Sequence, residues 1–272
     1  MRKTAATLLL SAYSISAAGS AKIVLVAGTP SHGRGEHEFN AGVILLDKCL
    51  RQNPGIETVR LKGGWPEDAS VFDGARAIVF YEDGGDEHPV IQDDRLARIG
   101  ALMRKGVGLV CLHYAVEVPK DRGGAEFLDW IGGFYDRPYS QNPVNEVEVV
   151  QAAPGHPISR GWKSFVAQDE FYYKIRFRPG DTRVTPILTT MLPKEAPRRE
   201  VIAWAVERAD GGRGFGFTGG HYHRNWGMPD FRRMVVNAIL WSAKVDVPSG
   251  GARCDLAPDE LGANLDDKPG ER

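Results

Sequence analysis

The chain has 272 residues, of which 42% are hydrophobic and 25% charged, so it is long enough to bury a substantial core. Its 34 Lys and Arg residues nearly balance its 35 Asp and Glu residues, which gives a formal net charge of −1. No long basic run with interleaved aromatic residues occurs. The composition therefore excludes a surface that follows nucleic-acid phosphates, and we expect no nucleic-acid partner.

The first 21 residues have the features of an export signal. A positive start at Arg2 and Lys3 precedes a short apolar stretch over residues 5–18, and a Gly-Ser-Ala sequence ends at Ala21. The stretch is too short and too rich in serine to span a bilayer comfortably. We therefore expect cleavage after Ala18 or Ala21 and a periplasmic or secreted mature chain without a membrane span.

The next part of the chain alternates between strand and helix patterns. Apolar runs at residues 22–27, 77–81 and 107–112 predict buried parallel strands, and a further strand is expected at 57–61. Apolar residues at helical spacing predict helices over 39–50 and 93–105, the second of which is capped by Gly106. This β-α-β-α-β order predicts a flavodoxin-like three-layer α/β sandwich with a mostly parallel central sheet.

The second half of the chain first departs from this pattern and then returns to it. Residues 127–197 carry clusters of Pro, Gly and aromatic residues between candidate strands at 144–150 and 170–177, so we interpret them as an insertion that decorates the sheet. Core strands are predicted at 201–207 and 214–218, and a last helix at 231–243. One α/β domain would thus span residues 22–246, followed by a Gly-, Pro- and Asp-rich tail over 247–272 that we predict to be disordered.

Five of the seven histidines follow predicted strands at the point where each strand ends. In an open α/β sheet ligands bind outside the carboxyl ends of the strands, so the side chains in these positions are the candidate site. They are His32, Glu36 and His37 after the first strand, Glu82 and Asp83 after the third, His113 and Tyr114 after the fourth, and His221, Tyr222, His223 and Asn225 after the last.

Converging histidines suit either proton transfer near neutral pH or metal binding. Three imidazoles and a carboxylate at one point would make a site for zinc or another divalent transition metal, and the candidate ligands are His37, His113, His221 and His223. The spacing is not that of an HExxH or CxxC motif. Histidines that only hydrogen-bond within a polar cleft are therefore the alternative.

Two further residue types at these strand ends have a functional and a structural interpretation. Cys111 could be a nucleophile, but it lies within an apolar run with no glycine after it, so a buried and inert thiol is favoured. Tyr114, Tyr222 and Trp226 could stack on a sugar ring because they lie beside the histidines, and packing in the core or at the rim is the alternative. Asn225 and Asp83 are further candidates for binding a substrate.

Four segments in order resemble the ThuA-like (trehalose utilisation) family. They are GVGLVCLHYA (106–115), DWIGGFYDRP (129–138), HPISRGW with QDEFYY (156–162 and 168–173), and GFGFTGGHYHRNWGMPDFRRMVVNAILWSA (214–243). The resemblance covers about residues 22–243 and implies a class I glutamine amidotransferase-like fold and a role in carbohydrate metabolism. It also implies functional positions at His113, Glu170 and His221. The family usually has a small residue where Cys111 stands, which disfavours amidotransferase chemistry.

Three functional hypotheses remain open at this point. The first is an exported enzyme acting on a sugar or keto-sugar derivative as a hydrolase, lyase or isomerase, with His113, His221, Glu170 and Glu82 as its catalytic residues and with or without a metal. The second is a non-catalytic carbohydrate-binding protein that uses the same cleft. The third is a cysteine-dependent amidase. The partner in the first two is a small carbohydrate, and the sequence is compatible with either a monomer or a homo-oligomer.

Overall fold

The computed structural model describes residues 20–268, so the predicted signal peptide lies outside the described residues except for its last two. The helices are α1 (Phe39–Arg51), α2 (Arg95–Met103), α3 (Gly124–Trp130) and α4 (Pro229–Ser242). The strands are β1 (Ala21–Ala27), β2 (Ile56–Lys62), β3 (Ala77–Tyr81), β4 (Gly108–Leu112), β5 (Gly133–Phe134), β6 (Asn145–Gln151), β7 (Phe165–Asp169), β8 (Arg176–Phe177), β9 (Val184–Leu192), β10 (Arg198–Glu207) and β11 (Arg213–Phe217).

Nine of these strands form one sheet in the order β2-β1-β3-β4-β11-β10-β9-β6-β7. The pairs from β2 to β11 are all parallel, and the pairs from β11 to β7 are all antiparallel. The parallel half has the flavodoxin-like order 2-1-3-4-5. The order in which successive strands are added to the sheet reverses between β1 and β3. This confirms the predicted fold class, in which ligands bind outside the carboxyl ends of the parallel strands.

The parallel strands are buried on both faces, which explains their continuous apolar runs. In β3, Val79 and Tyr81 contribute to a core shared with α1 and α4, whereas Ile78 and Phe80 contribute to a core shared with α2 and α3. The three layers therefore follow from the period-2 alternation of strand side chains. The same alternation decides which face of the sheet receives each polar residue that follows β3.

Residues 127–197 extend the central sheet, because β6, β7 and β9 join its antiparallel end. The strand expected over residues 170–177 is limited to β8, and β9 was not predicted. Residues 170–175 leave the regular strand conformation because Glu170 and Tyr172 both turn towards the histidines, and Lys174 adopts a left-handed φ of 55°. The difference therefore has a local cause at the candidate site.

We expected disorder beyond Val247, whereas the structure packs residues 247–268 against the domain. The side chains of Cys254 and Asp266 are buried there, and the Asn237 side chain accepts a hydrogen bond from the backbone N–H of Ala252. Composition misses this order because it comes from hydrogen bonds with distant parts of the chain. No helix within residues 20–268 is both long and apolar enough to cross a membrane.

Candidate functional site

Three histidines at the carboxyl ends of the parallel strands lie in left-handed backbone conformation. His32 and His37 in the loop after β1 have φ values of 58° and 44°, and His113, directly after β4, has a φ of 54°. Residues other than glycine rarely adopt this backbone conformation, and such backbone strain concentrates at functional sites. The sharp turn after the central strand thus presents His113, two residues beyond Cys111.

His37, His113 and His221 converge on one point. The His37 Nε2 atom lies 3.0 Å from His221 Nδ1 and 3.0 Å from His113 Nε2. All three side chains are buried, although they belong to loops far apart in sequence. His32 stacks on His37 with ring centroids 3.6 Å apart, but it is exposed to solvent.

The hydrogen bonds on the outer side of each ring assign the tautomers. His113 Nδ1 lies 2.8 Å from the Thr218 carbonyl oxygen, which can only accept, so Nδ1 carries the proton. His37 Nδ1 donates in the same way to the Asp83 carboxylate at 2.8 Å. Both Nε2 atoms are then unprotonated while only 3.0 Å apart, so two nitrogen lone pairs lie close together, with the Tyr172 hydroxyl group 3.4 Å from His113 Nε2. A cation between them would turn this unfavourable contact into a favourable one.

The unprotonated nitrogens of the three imidazoles have a spacing that fits a tetrahedral metal ion. Tetrahedral metal–nitrogen bonds of about 2.0–2.1 Å place the ligand atoms about 3.3 Å apart, close to the spacing of the histidine nitrogens. His221 Nε2 lies 3.6 Å from a Glu36 oxygen, and this favours an unprotonated Nδ1 on the inner side. A carboxylate or carbonyl behind each imidazole is the usual outer arrangement of metal-binding histidines.

Glu170 adds a carboxyl group beside the three imidazoles. Its Oε2 atom lies 3.7 Å from His113 Nε2 and 3.6 Å from His221 Nδ1, and its Oε1 atom accepts a hydrogen bond from Asn142. Burial and the neighbouring Asp169 raise the pKa of Glu170 to about 7. A carboxyl group with that pKa can both take up and release a proton near neutral pH.

Burial also keeps the imidazoles neutral. It lowers the pKa of His37 to about 2, with further contributions from His32, His221 and Lys268, and it lowers the pKa of His113 well below its usual range. The pKa of His221 is lowered by burial as well, partly opposed by Glu36. Neutral imidazole is the form that binds a metal ion, so the site requires no deprotonation step.

Asp169 at the end of β7 holds the loop that carries His221. Its buried carboxylate accepts hydrogen bonds from the backbone N–H groups of Gly220 at 2.8 Å and His221 at 3.0 Å, and from the Asn225 side chain at 3.0 Å. The family resemblance singled out Glu170 from the Asp-Glu pair and did not indicate a role for Asp169. The two adjacent carboxylates were the sequence signal that could have indicated Asp169.

Several predicted site residues lie outside the cluster. Glu82 points to the opposite face of the sheet, where its buried oxygens have no hydrogen-bond partner among residues 20–268. His223 donates from Nε2 to the Leu261 carbonyl and is not within reach of the other imidazoles. Asn225 binds Asp169 and the backbone of Gln168, and Trp226 is fully buried against Tyr81, so both have structural contacts in place of access to a ligand.

The two tyrosines predicted to bind substrate remain beside the site. Tyr114 is half-buried, with its ring centroid 6.1 Å from that of His37, and its hydroxyl group accepts a hydrogen bond from Arg137. Tyr222 lies against His221 with ring centroids 4.7 Å apart, and the Arg224 guanidinium lies over its ring, 3.9 Å from the centroid. Asp83 accepts the hydrogen bond from His37 Nδ1, so it lies behind this imidazole.

Cys111 has the environment of an inert thiol. It is completely buried within β4, and burial, with Glu82 as a further contribution, raises its pKa well above the usual range. A nucleophilic thiolate needs the opposite shift. Cys49 and Cys254 are also buried and free.

Fold and site together define a flavodoxin-like α/β protein with a three-histidine and carboxylate centre at its strand ends. The family model described as ThuA, trehalose utilisation, matches residues 23–242, and the chain belongs to this family. No curated protein matches the sequence.

Solved structures with the same fold include three bacterial proteins. ThuA-like proteins of Parabacteroides merdae and Bacteroides uniformis both have a TM-score of 0.62, with 17% and 19% identity. They cover 86% and 89% of this chain and 97% and 98% of their own. A cytoplasmic protein of Salmonella typhimurium has a TM-score of 0.56 and 15% identity, covering 81% of this chain and 99% of its own. At these identities the likeness concerns the fold alone.

Proposed function

We propose that this chain is a metal-dependent enzyme of carbohydrate metabolism that acts on a sugar or keto-sugar derivative. In this proposal His37, His113 and His221 hold a divalent transition metal, and Glu170 transfers protons. The observation that carries it is the 3.0 Å contact between the two unprotonated Nε2 atoms of His37 and His113. Such a contact has a physical reason if a cation binds there.

Three protein ligands, which leave the fourth position of a tetrahedral ion to water or substrate, are the pattern of catalytic metal sites. Imidazole nitrogens suit zinc, iron, nickel or copper, so the ligand set leaves the identity of the metal among these. When bound, the metal would polarise an oxygen of the substrate as a Lewis acid. Glu170 Oε2, 3.7 Å from His113 Nε2, would accept a proton from the substrate or water and return it to the product.

The carbohydrate part of the proposal rests on the family and on two aromatic side chains. The family description, trehalose utilisation, supports a carbohydrate as substrate. The rings of Tyr114 and Tyr222 lie beside the histidines. The Tyr114 ring offers an apolar surface for the face of a sugar ring, whereas the Arg224 guanidinium already lies over the Tyr222 ring. Their hydroxyl groups can hydrogen-bond with sugar hydroxyls.

We further propose that the chain is exported and that the signal peptide is cleaved after Ala18. Ala21 is the first residue of β1, and its N–H donates to the Gly55 carbonyl at 2.7 Å. Cleavage after Ala21 would remove this residue from the sheet, whereas cleavage after Ala18 retains it. N-terminal sequencing of the mature protein from an expressing bacterium should begin at Gly19, and an intact Met1 or Arg2 in the soluble fraction would contradict export.

The activity is tested with chelator-treated protein that is reloaded with Zn²⁺, Fe²⁺, Ni²⁺ or Cu²⁺ and incubated with a panel of sugars, glycosides and their keto derivatives. We expect a product with at least one metal and none without it. Glu170→Gln should still bind the metal but lose turnover at least about 100-fold, as expected for a proton-transferring group. Saturable binding of a sugar without any product would instead indicate a carbohydrate-binding protein.

A further inference from the structure

The Lys268 side chain is buried although it carries an ammonium group. Only 1% of the side chain is exposed, and Nζ donates to the backbone carbonyls of Ser31, Glu36 and His37 at 2.9, 2.7 and 3.1 Å. These three bonds use all the donors of an ammonium group. A charge is buried only where it is compensated, so the three carbonyls form a dedicated cradle for Lys268.

All three carbonyls belong to the loop that presents His37. This loop has two residues in left-handed conformation, His32 and His37, and such a backbone persists only where its surroundings impose it. The Lys268 ammonium group joins the start of the loop at Ser31 to its end at His37. It therefore fixes the two ends of the loop relative to each other.

Glu38 forms a second contact between the loop and the tail. Its buried carboxylate lies 3.7 Å from Lys268 Nζ and accepts hydrogen bonds from the N–H groups of Gly35 at 2.8 Å and Asp266 at 2.6 Å. The tail and the loop thus share a carboxylate as well as a cation. Neither of these charged residues belongs to a strand of the sheet.

The tail also contacts the second loop of the site. The carbonyl of Leu261 accepts a hydrogen bond from His223 Nε2 at 2.9 Å, and the His223 N–H donates to the Gly35 carbonyl at 2.8 Å. His223 follows His221 by two residues. The tail therefore connects the loop that carries His37 with the loop that carries His221.

We propose that residues 261–268, here called the C-terminal clasp, hold these two loops in the metal-binding arrangement, with Lys268 as the positioning residue for His37. This inference rests on the proposed metal site. Ligands of a functional site must be held to within about 0.5 Å, and the loss of outer contacts typically lowers metal affinity about 10–100-fold. Lys268 Nζ is buried and contacts the backbone carbonyl of His37, so its contribution is positional.

The experiment compares Lys268→Met with the control Glu260→Gln, which removes a tail contact to Lys48 on α1, outside the loop. Two quantities are measured on the full chain: hydrogen exchange of residues 31–38, and Co²⁺ and Zn²⁺ affinity by competition with a chelator. For Lys268→Met we expect at least about 10-fold faster exchange in the loop and about 10–100-fold weaker metal binding. Glu260→Gln should match the wild type in both.

A cysteine variant provides the rescue. Lys268→Cys should show the same two defects, and aminoethylation of that thiol restores a lysine-like ammonium and should restore both quantities. Position 268 is as buried as the native thiols, so the rescue uses a chain in which Cys49, Cys111 and Cys254 are replaced by alanine, and the cysteine is aminoethylated in the unfolded chain before refolding. Exchange in β3 and β4 serves as the control for global unfolding, because a merely structural role of Lys268 would raise exchange there as well.

The two proposals fail in different ways. Loop exchange and metal affinity that are unchanged in Lys268→Met would overturn the C-terminal clasp and leave the metal site intact. A wild-type chain that binds no metal would overturn the proposed function, while loop exchange would still decide whether Lys268 positions His37. Equal acceleration of exchange throughout the molecule would also overturn the clasp.

Discussion

The two faces of the sheet each bear a buried polar cluster at the end of β3, and the clusters differ in how their nitrogens are used. On one face Asp83 binds His37, which meets His113 with unprotonated nitrogens 3.0 Å apart. On the other face Glu82 lies 4.0 Å from His88 Nδ1, but that nitrogen accepts from the Val90 N–H, and His88 Nε2 donates to a carbonyl.

Burial lowers the pKa of histidine on both faces, to about 4 for His88 and to about 2 for His37. A shifted pKa therefore does not distinguish a candidate site from a satisfied core histidine. The distinguishing feature is that the lone pairs of several imidazoles point at one another while the opposite nitrogens are already occupied. The comparison yields four predictions, in which changes on one face should affect metal binding and changes on the other should affect stability.

The largest effect is expected for His113→Ala, which removes one of the three proposed ligands. Metal affinity should fall more than about 1,000-fold, and turnover should disappear, with the circular dichroism spectrum unchanged. His88→Gln is the matched control, because it alters a buried histidine on the other face. It should lower Tm but keep the metal. Loss of metal in both variants would contradict the claim that only one face of the sheet binds a metal.

Asp83→Asn tests the contact behind His37. The amide can hydrogen-bond with Nδ1 but removes the negative charge, so we expect metal affinity to fall about 10–100-fold, measured by competition with a chelator. The adjacent Glu82→Gln should leave this affinity within about 2-fold of the wild type. Equal effects of the two substitutions would mean that the sheet does not separate the clusters.

Glu82→Gln should change the pH dependence of stability in the metal-free protein. Burial, with Asp83 as a further contribution, raises the pKa of folded Glu82 well above the ordinary value of 4.5. As pH rises above about 4.5, the unfolded chain releases this proton while the folded chain retains it, so folded-state stability decreases. Glu82→Gln removes this loss of stability. The Tm of the variant minus that of the wild type should therefore be a few degrees higher at pH 8 than at pH 4.

The control for that measurement is Glu146→Gln, a substitution at an exposed position of β6. Its Tm should follow the wild type at every pH. Thermal unfolding is recorded at intervals between pH 4 and pH 8 for the three proteins. A Glu82→Gln difference that is constant over this range would indicate a packing effect in place of a titration.

The smallest effect is expected for Cys111→Ala. If the thiol is inert, turnover should stay within about 2-fold of the wild type, and iodoacetamide should leave the folded protein unmodified because the side chain is fully buried. Rapid alkylation of Cys111 together with loss of activity would instead support a cysteine-dependent amidase. The measurements are mass spectrometry of the labelled protein and the activity assay.

Local pattern predicts the fold well where an element is determined by its own residues. The apolar run of β3 gives its bounds correctly, and the spacing of α1 gives all but its last residue. The positions of His37, His113 and His221 after predicted strands are also enough to group them at one site. Parallel strands make this inference reliable, because their carboxyl ends lie at one edge of the sheet.

The remaining features depend on contacts that a local pattern does not contain. Glu82 and Asp83 are neighbours after the same strand, yet side-chain alternation sends them to opposite faces, so only one reaches the histidines. His223 was grouped with His221 on spacing, but it turns towards Leu261 in the tail. The contribution of Lys268 arises from residues more than 200 positions away, in a segment whose composition suggested disorder.

Elemental analysis of the purified, tag-free mature chain, after chelator treatment and reloading, tests the central claim most directly. We expect one equivalent of a divalent transition metal per chain in the wild type, and less than about a tenth of that in His37→Ala, His113→Ala and His221→Ala. No bound metal in the wild type under any loading condition, or one equivalent retained in all three variants, would contradict it.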